Sequence, residues 1–387
     1  MNLKLKKLFL QKPWWMWAFP LIALTFLVAI PLFVWNATDA ILSSTDGDFG
    51  EVITDPSEPG YLTYVMATPS HLSLNVDVDG NLSMATIIAL GPNEEGGSIL
   101  LLSPNTKLDN EMTIASIFAS GGAEQLERSL KDYLTIGFTS RNTMSASTWD
   151  AYLAPVSPLS IDLNVGAYTR LAEQSLSEAN TECCLFEGTI ELQSENVGEY
   201  LNASDDASGE LRHLRQEIFW QDWIEVLSTE TDPSMLPGEI DSGFGRMVWG
   251  LSRDNLVVVQ LEQLIEPSGV RIEAEAFRDA VLEMIPFPQA SSPGARTTVR
   301  LLDGVGGLDI AGDYSAGLVK TGAQILIIGN SPEFGKATEL IYHDDENAEL
   351  VRKFQEVLGG GEIFFEPLTD AAVEVTVTIG NDLIDRN

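Results

Sequence analysis

Three residue types are scarce, and each scarcity narrows the chemistry. The chain of 387 residues has two cysteines, adjacent at Cys183 and Cys184. That count and spacing exclude a four-ligand zinc site and a disulfide framework. A strained vicinal ring, pairing between chains and a pair of inert thiols stay open. Three histidines, His71, His213 and His343, supply little for histidine-based catalysis or metal binding. Lysine and arginine number 22 against 57 acidic residues, a formal charge of −35. The first 35 residues hold four of those lysines and no acid, so the remainder carries 18 basic and 57 acidic residues, a charge of −39. Such a surface repels nucleic acid and anionic headgroups, and no nucleic-acid partner is expected. It suits divalent cations, cationic partners or a salty exterior.

What is present begins with one long apolar run. Residues 14–35, WWMWAFPLIALTFLVAIPLFVW, contain no charge. As a helix this run is roughly 33 Å long, enough to cross a hydrocarbon core of about 30 Å. Trp14, Trp15 and Trp17 at one end and Trp35 at the other suit the two membrane interfaces. Lys4, Lys6, Lys7 and Lys12 precede the run. The positive-inside rule then leaves residues 1–13 as a cytoplasmic basic tail and puts everything after Trp35 outside, as a single-pass protein of the cell membrane. A cleaved signal peptide is the competing reading. Its apolar region would be shorter and would end in small residues rather than Phe33, Val34 and Trp35.

The rest of the chain is too long for one ordinary core, which predicts two domains. Residues 36–60 are acidic and rich in Ser, Thr, Pro and Gly, and read as a tether. From Tyr61 the composition predicts a mixed α/β domain over 61–288. Its expected strands are YLTYVMA (61–67), a hairpin around Asp79-Gly80-Asn81, SILLLSP (98–104) and NLVVVQLEQL (255–264). Its expected helices are 113–134, broken at Gly121-Gly122, then one from Thr169, one over 211–227 and one over 274–284. Residues 233–245 read as a loop. A short Pro/Ser-rich linker precedes a small α/β domain over 297–387, with strands TTVRLLDG, AQILIIGN, ATELIYHD and VEVTVTIGND around two helices.

The order VRLLDGVGG, helix, ILIIGN, TELIYHDDENAELVRKF, VTVTIGNDL resembles the C-terminal domain of many LytR-CpsA-Psr proteins of actinobacterial type. Residues 61–288 then resemble a diverged LytR-CpsA-Psr catalytic domain. ILLLSPNT (99–106) sits where that family has a strand running into Ser-Ile-Pro-Arg-Asp. Residues 113–138 resemble its Gly-Gly helix, and LRHLRQEIFWQDWIEVL (211–227) resembles its Arg-x-x-Arg-Gln helix. The resemblance implies transfer of a glycopolymer from a polyprenyl-pyrophosphate carrier to peptidoglycan, with Mg²⁺. That chemistry needs cationic groups on the pyrophosphate and carboxylates on the metal.

Most motif positions depart from the family pattern. Thr68-Pro69-Ser70 stands for Gly-x-Asp-x-Arg, and Asn81 to Thr86 lacks the Arg and Asp of Arg-Ser-Asp-Thr. Ser103-Pro104-Asn105-Thr106 lacks the Pro-Arg-Asp arginine, and the arginine pair expected near Tyr200 is missing from EYLNASDD. Arg212, Arg215 and Gln216 survive as the polyprenyl-pyrophosphate candidates, or Arg212 and Arg215 pair with Glu210 and Glu217 as surface ion pairs. Trp220 and Trp223 either line a lipid groove or pack in the core. Asn75-x-Asp77-x-Asp79-Gly80 matches half a calcium loop, but Thr86 stands where the bidentate Glu belongs, so a plain hairpin turn is expected. Gly304-x-Gly306-Gly307 lacks dinucleotide spacing and reads as a tight turn.

The loss of three motifs argues against full catalytic activity. The expectation is a membrane-anchored extracytoplasmic envelope protein, a binding or accessory module in cell-wall polymer attachment. Its expected partners are polyprenyl-linked glycopolymer or other envelope proteins. No metal site is expected, and Mg²⁺ enters only if the family activity is retained. The alternatives are an active transferase with a relocated site, and a structural or interaction protein that binds through its C-terminal domain.

Overall fold

The computed structural model describes residues 53–108, 111–163, 188–203, 210–238, 241–266, 269–368 and 371–384. The anchor stretch 14–35, both cysteines and the helix expected from Thr169 lie outside the described residues. Among the described residues, no helix is long and apolar enough to cross a membrane.

In chain order the first elements are β1 (Leu62–Tyr64), β2 (Ser70–Val76), β3 (Leu82–Leu90) and β4 (Gly97–Leu102). Next come α1 (Ile114–Leu134), β5 (Ile136–Gly137), β6 (Ser140–Met144), α2 (Ala146–Leu153), β7 (Leu159–Leu163) and β8 (Gly188–Leu192). Then follow α3 (Val197–Asn202), α4 (Glu210–Ser228), α5 (Gly243–Leu251), β9 (Leu256–Val258), β10 (Gln263–Glu266), β11 (Gly269–Ile272) and α6 (Ala274–Met284). The C-terminal elements are β12 (Gln289–Ala290), β13 (Thr297–Asp303), α7 (Ile310–Lys320), β14 (Ala323–Asn330) and β15 (Glu339–Tyr342). The last are α8 (Ala348–Leu358), β16 (Glu362–Phe365), β17 (Val375–Ile379) and α9 (Asn381–Ile384).

The first layer is built on a five-stranded mixed sheet, β6-β2-β3-β4-β9. Asp79-Gly80 makes the β2–β3 hairpin as its sequence predicts, with Val76 opposite Leu82. All nine residues of β3 are buried, because both faces of the sheet are covered. One face packs Met84, Ile88, Ile99 and Leu101 against α2, α3, α4 and α5. The other packs Leu72, Leu74, Ile87 and Leu100 against α1 and α6. Helix α1 starts on the Thr113 hydroxyl, which accepts from the Ser116 N–H, and it breaks at Gly122, where φ is +69°. The expected Gly-Gly break is therefore real.

A third core belongs to the sheet β1-β14-β13-β17-β15-β16. Val299, Leu301, Ile325, Val375 and Val377 line one face and pack with Leu318, Val351 and Phe354 of α7 and α8. After β13 the glycine-rich stretch is a tight turn: the buried Asp303 carboxylate accepts from the N–H groups of Val305, Gly306 and Leu308.

Three assignments differ from expectation. The YLTYVMA strand does not open the first sheet. It supplies β1, which pairs antiparallel with β14 in the C-terminal sheet. Its side chains are exposed, so apolar pattern alone does not say which sheet receives it. The expected 233–245 loop ends early, because α5 begins at Gly243. The expected 255–264 strand is two short strands, β9 and β10, in different sheets.

The two layers join through Arg296, which is 3% exposed. Its Nε donates to the Ala323 carbonyl at 3.1 Å, and another guanidinium nitrogen donates to the Thr135 hydroxyl at 3.2 Å. A third bond goes to the Val319 carbonyl. Burial pushes this guanidinium down to about 10.

Gly329 is where β1 crosses β14. A Cβ there would fall inside van der Waals contact of the Tyr61 carbonyl oxygen and the Leu62 Cα. Gly329→Val is expected to strip β1 from the sheet while leaving the first layer folded. Hydrogen exchange should then rise at the Val65 N–H, which bonds the Leu326 carbonyl, and at the Asn330 N–H, which bonds the Tyr61 carbonyl; unchanged protection at both would refute this placement of β1.

Candidate functional site

The polar centre of the first layer follows from the alternation in SHLSLNV. Leu72 and Leu74 point into one core. His71, Ser73 and Asn75 point the other way, into the aromatic core around α2 and α4, and each is 2% exposed or less. Trp149, Trp220, Trp223, Phe219 and Phe244 close over this row with ring centroids 5.3–6.3 Å apart. Aromatic pairs of this kind contribute about 0.5–1.5 kcal/mol each beyond their area burial. Trp220 and Trp223 are both 0% exposed, so they pack in the core.

At the hairpin end of β2 the row becomes a connected network. The Asn75 amide donates to Ser83 Oγ at 2.7 Å and to Asn202 Oδ1 at 2.7 Å. Trp149 Nε1 donates to Asn75 Oδ1 at 2.7 Å. Ser83 Oγ also lies 2.5 Å from Asn202 Oδ1. The network is neutral. It joins β2, β3, α2 and the end of α3, and it sits where Asn81–Thr86 and the loop after β4 converge. Nearby, Asp77 accepts from the Asp79 and Asn81 N–H groups and from the Asn81 side chain, the bonding of a hairpin turn.

Thr68-Pro69-Ser70 lies at the opposite end of the sheet, because β2 and β3 are antiparallel and Ser70 faces Ala89. There it borders a cleft of about 620 Å³ lined by Met66, Leu90, Pro92, Met284 and Phe287, with the Glu94–Arg246 ion pair among its residues. The three segments expected to share one site are thus divided, two at one end and one at the other.

Arg215 is 1% exposed. Its Nε donates to the Tyr200 carbonyl at 3.2 Å, and a second nitrogen donates to the Ala203 carbonyl. Gln216 donates to the Leu201 carbonyl at 2.9 Å. Both side chains cap the C-terminal carbonyls of α3, groups that a helix end leaves unbonded. Arg212 is half-buried one turn earlier on α4.

Two features escape sequence reading. Lys107 and Arg271 form a closed ring with Glu111 and Glu266. Lys107 lies 3.1 and 2.8 Å from the two carboxylates, and Arg271 lies 2.8 and 2.9 Å from them. Hydrogen bonds from Arg271 and Lys107 hold the Glu266 carboxyl down at about 2. Only the β10–β11 hairpin brings these residues together, across about 160 positions of sequence. The second feature is His71, whose Nε2 lies 3.0 Å from Asn142 Oδ1 and whose Nδ1 lies 2.7 Å from Ser140 Oγ. The amide oxygen only accepts, so Nε2 carries the proton and Nδ1 accepts from the hydroxyl. Burial lowers this imidazole to about 4.

The donor set at the hairpin end does not suit a divalent cation. Its central groups are two amides, a hydroxyl and an indole N–H, and the Asp77 carboxylate is committed to its own turn. Among the described residues, no group of three or more His, Cys, Asp or Glu is placed to hold a metal.

Residues 296–383 match the family model described as LytR cell envelope-related transcriptional attenuator. No curated protein matches the chain. Solved structures with a likeness to it include TagV of B. subtilis, at 14% identity and a TM-score of 0.43, covering 56% of this chain and 97% of that one. Another is the LytR-CPS2A-psr family protein YwtF (TagT) with bound octaprenyl pyrophosphate lipid, at 12% identity and a TM-score of 0.42, covering 61% and 92%. A third, described as a transcriptional regulator from Enterococcus faecalis, has 14% identity and a TM-score of 0.43, covering 59% and 91%.

Asn75→Ala would leave Trp149 Nε1 without its acceptor and remove one of the two donors to Asn202 Oδ1 in a buried network. The expected loss is about 2–4 kcal/mol of unfolding free energy, read by urea denaturation; a loss below about 1 kcal/mol would show the network to be incidental. His71 sets a pH dependence. Its folded value of about 4 lies below its ordinary 6.5. The unfolded chain therefore binds the extra proton between those values, and stability falls as pH drops from about 6.5 to about 4, by roughly 3 kcal/mol. Asp222 opposes it: burial raises that carboxyl to about 6, so its contribution is lost as pH rises through 6. His71→Gln is expected to flatten the acid-side fall in stability, measured by denaturation at pH 7, 5.5 and 4.5; an unchanged slope would assign it to other groups.

Proposed function

We propose that this chain, whose residues 296–383 form a LytR C-terminal domain, is a cell-envelope protein that acts as a binding or accessory module rather than as a transferase. In this reading residues 14–35 anchor it in the membrane with the N-terminus in the cytoplasm, and the described domains stand outside. The resemblance of residues 61–288 to the LytR-CpsA-Psr catalytic domain supplies the process, attachment of polyprenyl-linked glycopolymer to the wall.

One observation carries the non-catalytic part. Moving a pyrophosphate-linked polymer calls for cationic side chains on the phosphates and carboxylates on a divalent cation. The end of the sheet where two of the three resembling segments meet, Asn81–Thr86 and the loop after β4, presents Asn75, Ser83, Asn202 and Trp149 instead. Three basic groups of this layer are engaged by the protein: Arg215 by helix carbonyls, Lys107 and Arg271 by Glu111 and Glu266. Charge-assisted contacts contribute on the order of 1.5–3 kcal/mol each. Losing several together costs many powers of ten in rate.

The test uses the full chain in nanodiscs, with a polyprenyl-pyrophosphate-linked oligosaccharide, peptidoglycan acceptor and Mg²⁺. The expected result is no transfer above the protein-free control, with or without Mg²⁺. Mg²⁺-dependent transfer that Arg212→Ala abolishes would overturn this reading and establish the active transferase, with Arg212, Arg215 and Gln216 at its pyrophosphate.

A further inference from the structure

The C-terminal sheet ends in a four-residue edge strand that begins with an acid. Strand β16 pairs only with β15, in parallel, with Glu339 opposite Glu362 and Tyr342 opposite Phe365. Glu362 and Glu366 donate their N–H groups to the Thr338 and Tyr342 carbonyls. By the alternation of a strand, the N–H and C=O groups of Ile363 and Phe365 point away from the sheet. Exposed edges are commonly blunted by lysine, by an internal proline or by a bulge. Glu362-Ile-Phe-Phe365 has none of these; only its short length and Glu362 blunt it, and Phe364 and Phe365 are 40% and 43% exposed.

Beside this edge lies a recess of about 500 Å³, lined by His343, Asp344, Asp345, Phe365, Leu368 and Glu374 among others. Phe365 forms one wall, with its ring centroid 5.0 Å from that of Tyr342. The described ion pairs include none of the recess carboxylates, nor Glu362 or the adjoining Glu366, while Glu374 accepts from the Thr298 N–H and hydroxyl and Asp344 from the Glu346 N–H. The opposite edge of the same sheet already receives an extended segment remote in sequence, because β1 pairs there with β14.

We propose that β16 is a docking edge for an extended, lysine-bearing peptide segment of another protein. The segment adds as a strand along Ile363–Phe365, lays apolar side chains on Phe365 and Leu368, and places an ammonium group in the recess beside Asp344 and Asp345. Charge selects this occupant. Backbone pairing and alternate side-chain pockets define strand addition. A second copy of this chain would set Glu362 and Glu366 against their own like charges, which is repulsive across a strand pair.

The probe is a short capped peptide alternating lysine and valine, titrated against the full chain in detergent and read by fluorescence anisotropy. Its control is the same peptide N-methylated on alternate residues, which keeps the charge and removes the pairing N–H groups. Expected results are saturable binding, weakening of about tenfold or more on N-methylation, and similar weakening in Phe365→Pro. Asp345→Asn should weaken binding by several fold. Equal binding of the two peptides would reduce the interaction to charge adsorption and overturn the proposal. So would absence of binding, insensitivity to Phe365→Pro, or chemical crosslinking of the full chain to itself through β16. The outcome is independent of the transfer assay, which reads the first domain.

Discussion

Burial of the β2–β3–β4 triplet on both faces is the constraint on which the first layer depends. A sheet solvated on one side can tolerate polar residues on that side. Here both sides are covered, so every polar group on the triplet must find a partner inside the protein. That requirement explains why α3 ends where it does. Asn202 meets Asn75 and Ser83, and Arg215 and Gln216 reach from α4 to the carbonyls of the same helix. Charge at any of these sheet positions would need a buried counter-charge, which costs more than neutral hydrogen bonding returns.

The aromatic nest and the polar row depend on each other. Trp149 contributes its ring to the packing with Phe219, Trp220 and Phe244 and its indole N–H to Asn75. The same residue is thus an apolar filler and a hydrogen-bond donor. Satisfaction is incomplete: among the described residues, Thr86 Oγ1 and the indole nitrogens of Trp220 and Trp223 are buried without a hydrogen-bond partner, and so is Thr106 Oγ1 in the loop after β4. The first three atoms lie in the core that faces α4, and the fourth lies at the hairpin end.

The periodic parts of this architecture were legible in the sequence, and the long-range pairings were not. Asp79-Gly80, the Gly122 break and the apolar face of α1 are local signals, and each holds; the four expected C-terminal strands form, with β16 an unexpected addition between α8 and β17. The match over 296–383 bears out the resemblance drawn for the C-terminal domain. The destination of β1 was hidden because LTY is exposed and fits either sheet edge equally well. The family resemblance sets Thr68-Pro69-Ser70 at the Gly-x-Asp-x-Arg motif, whereas strand direction puts it at the far end of the sheet from Asn81–Thr86. The polar network was partly readable: SHLSLNV shows that His71, Ser73 and Asn75 share a face, but Ser83 and Asn202 join them only through tertiary packing. The Lys107–Glu111–Glu266–Arg271 ring was invisible for the same reason.

Charge ties these observations to function. Outside its first 35 residues the chain has 18 basic side chains for 57 acids. Several of the basic ones serve the fold: Arg215 caps α3, Arg296 joins the two layers, and Lys107 and Arg271 close an ion ring. An anionic ligand therefore meets a repelling field, and at these four residues basic groups that already have acceptors. A cationic ligand meets the reverse, most clearly at β16, where unpaired backbone groups adjoin carboxylates outside any described ion pair. The physical asymmetry of the surface favours capture of cations over chemistry on phosphates.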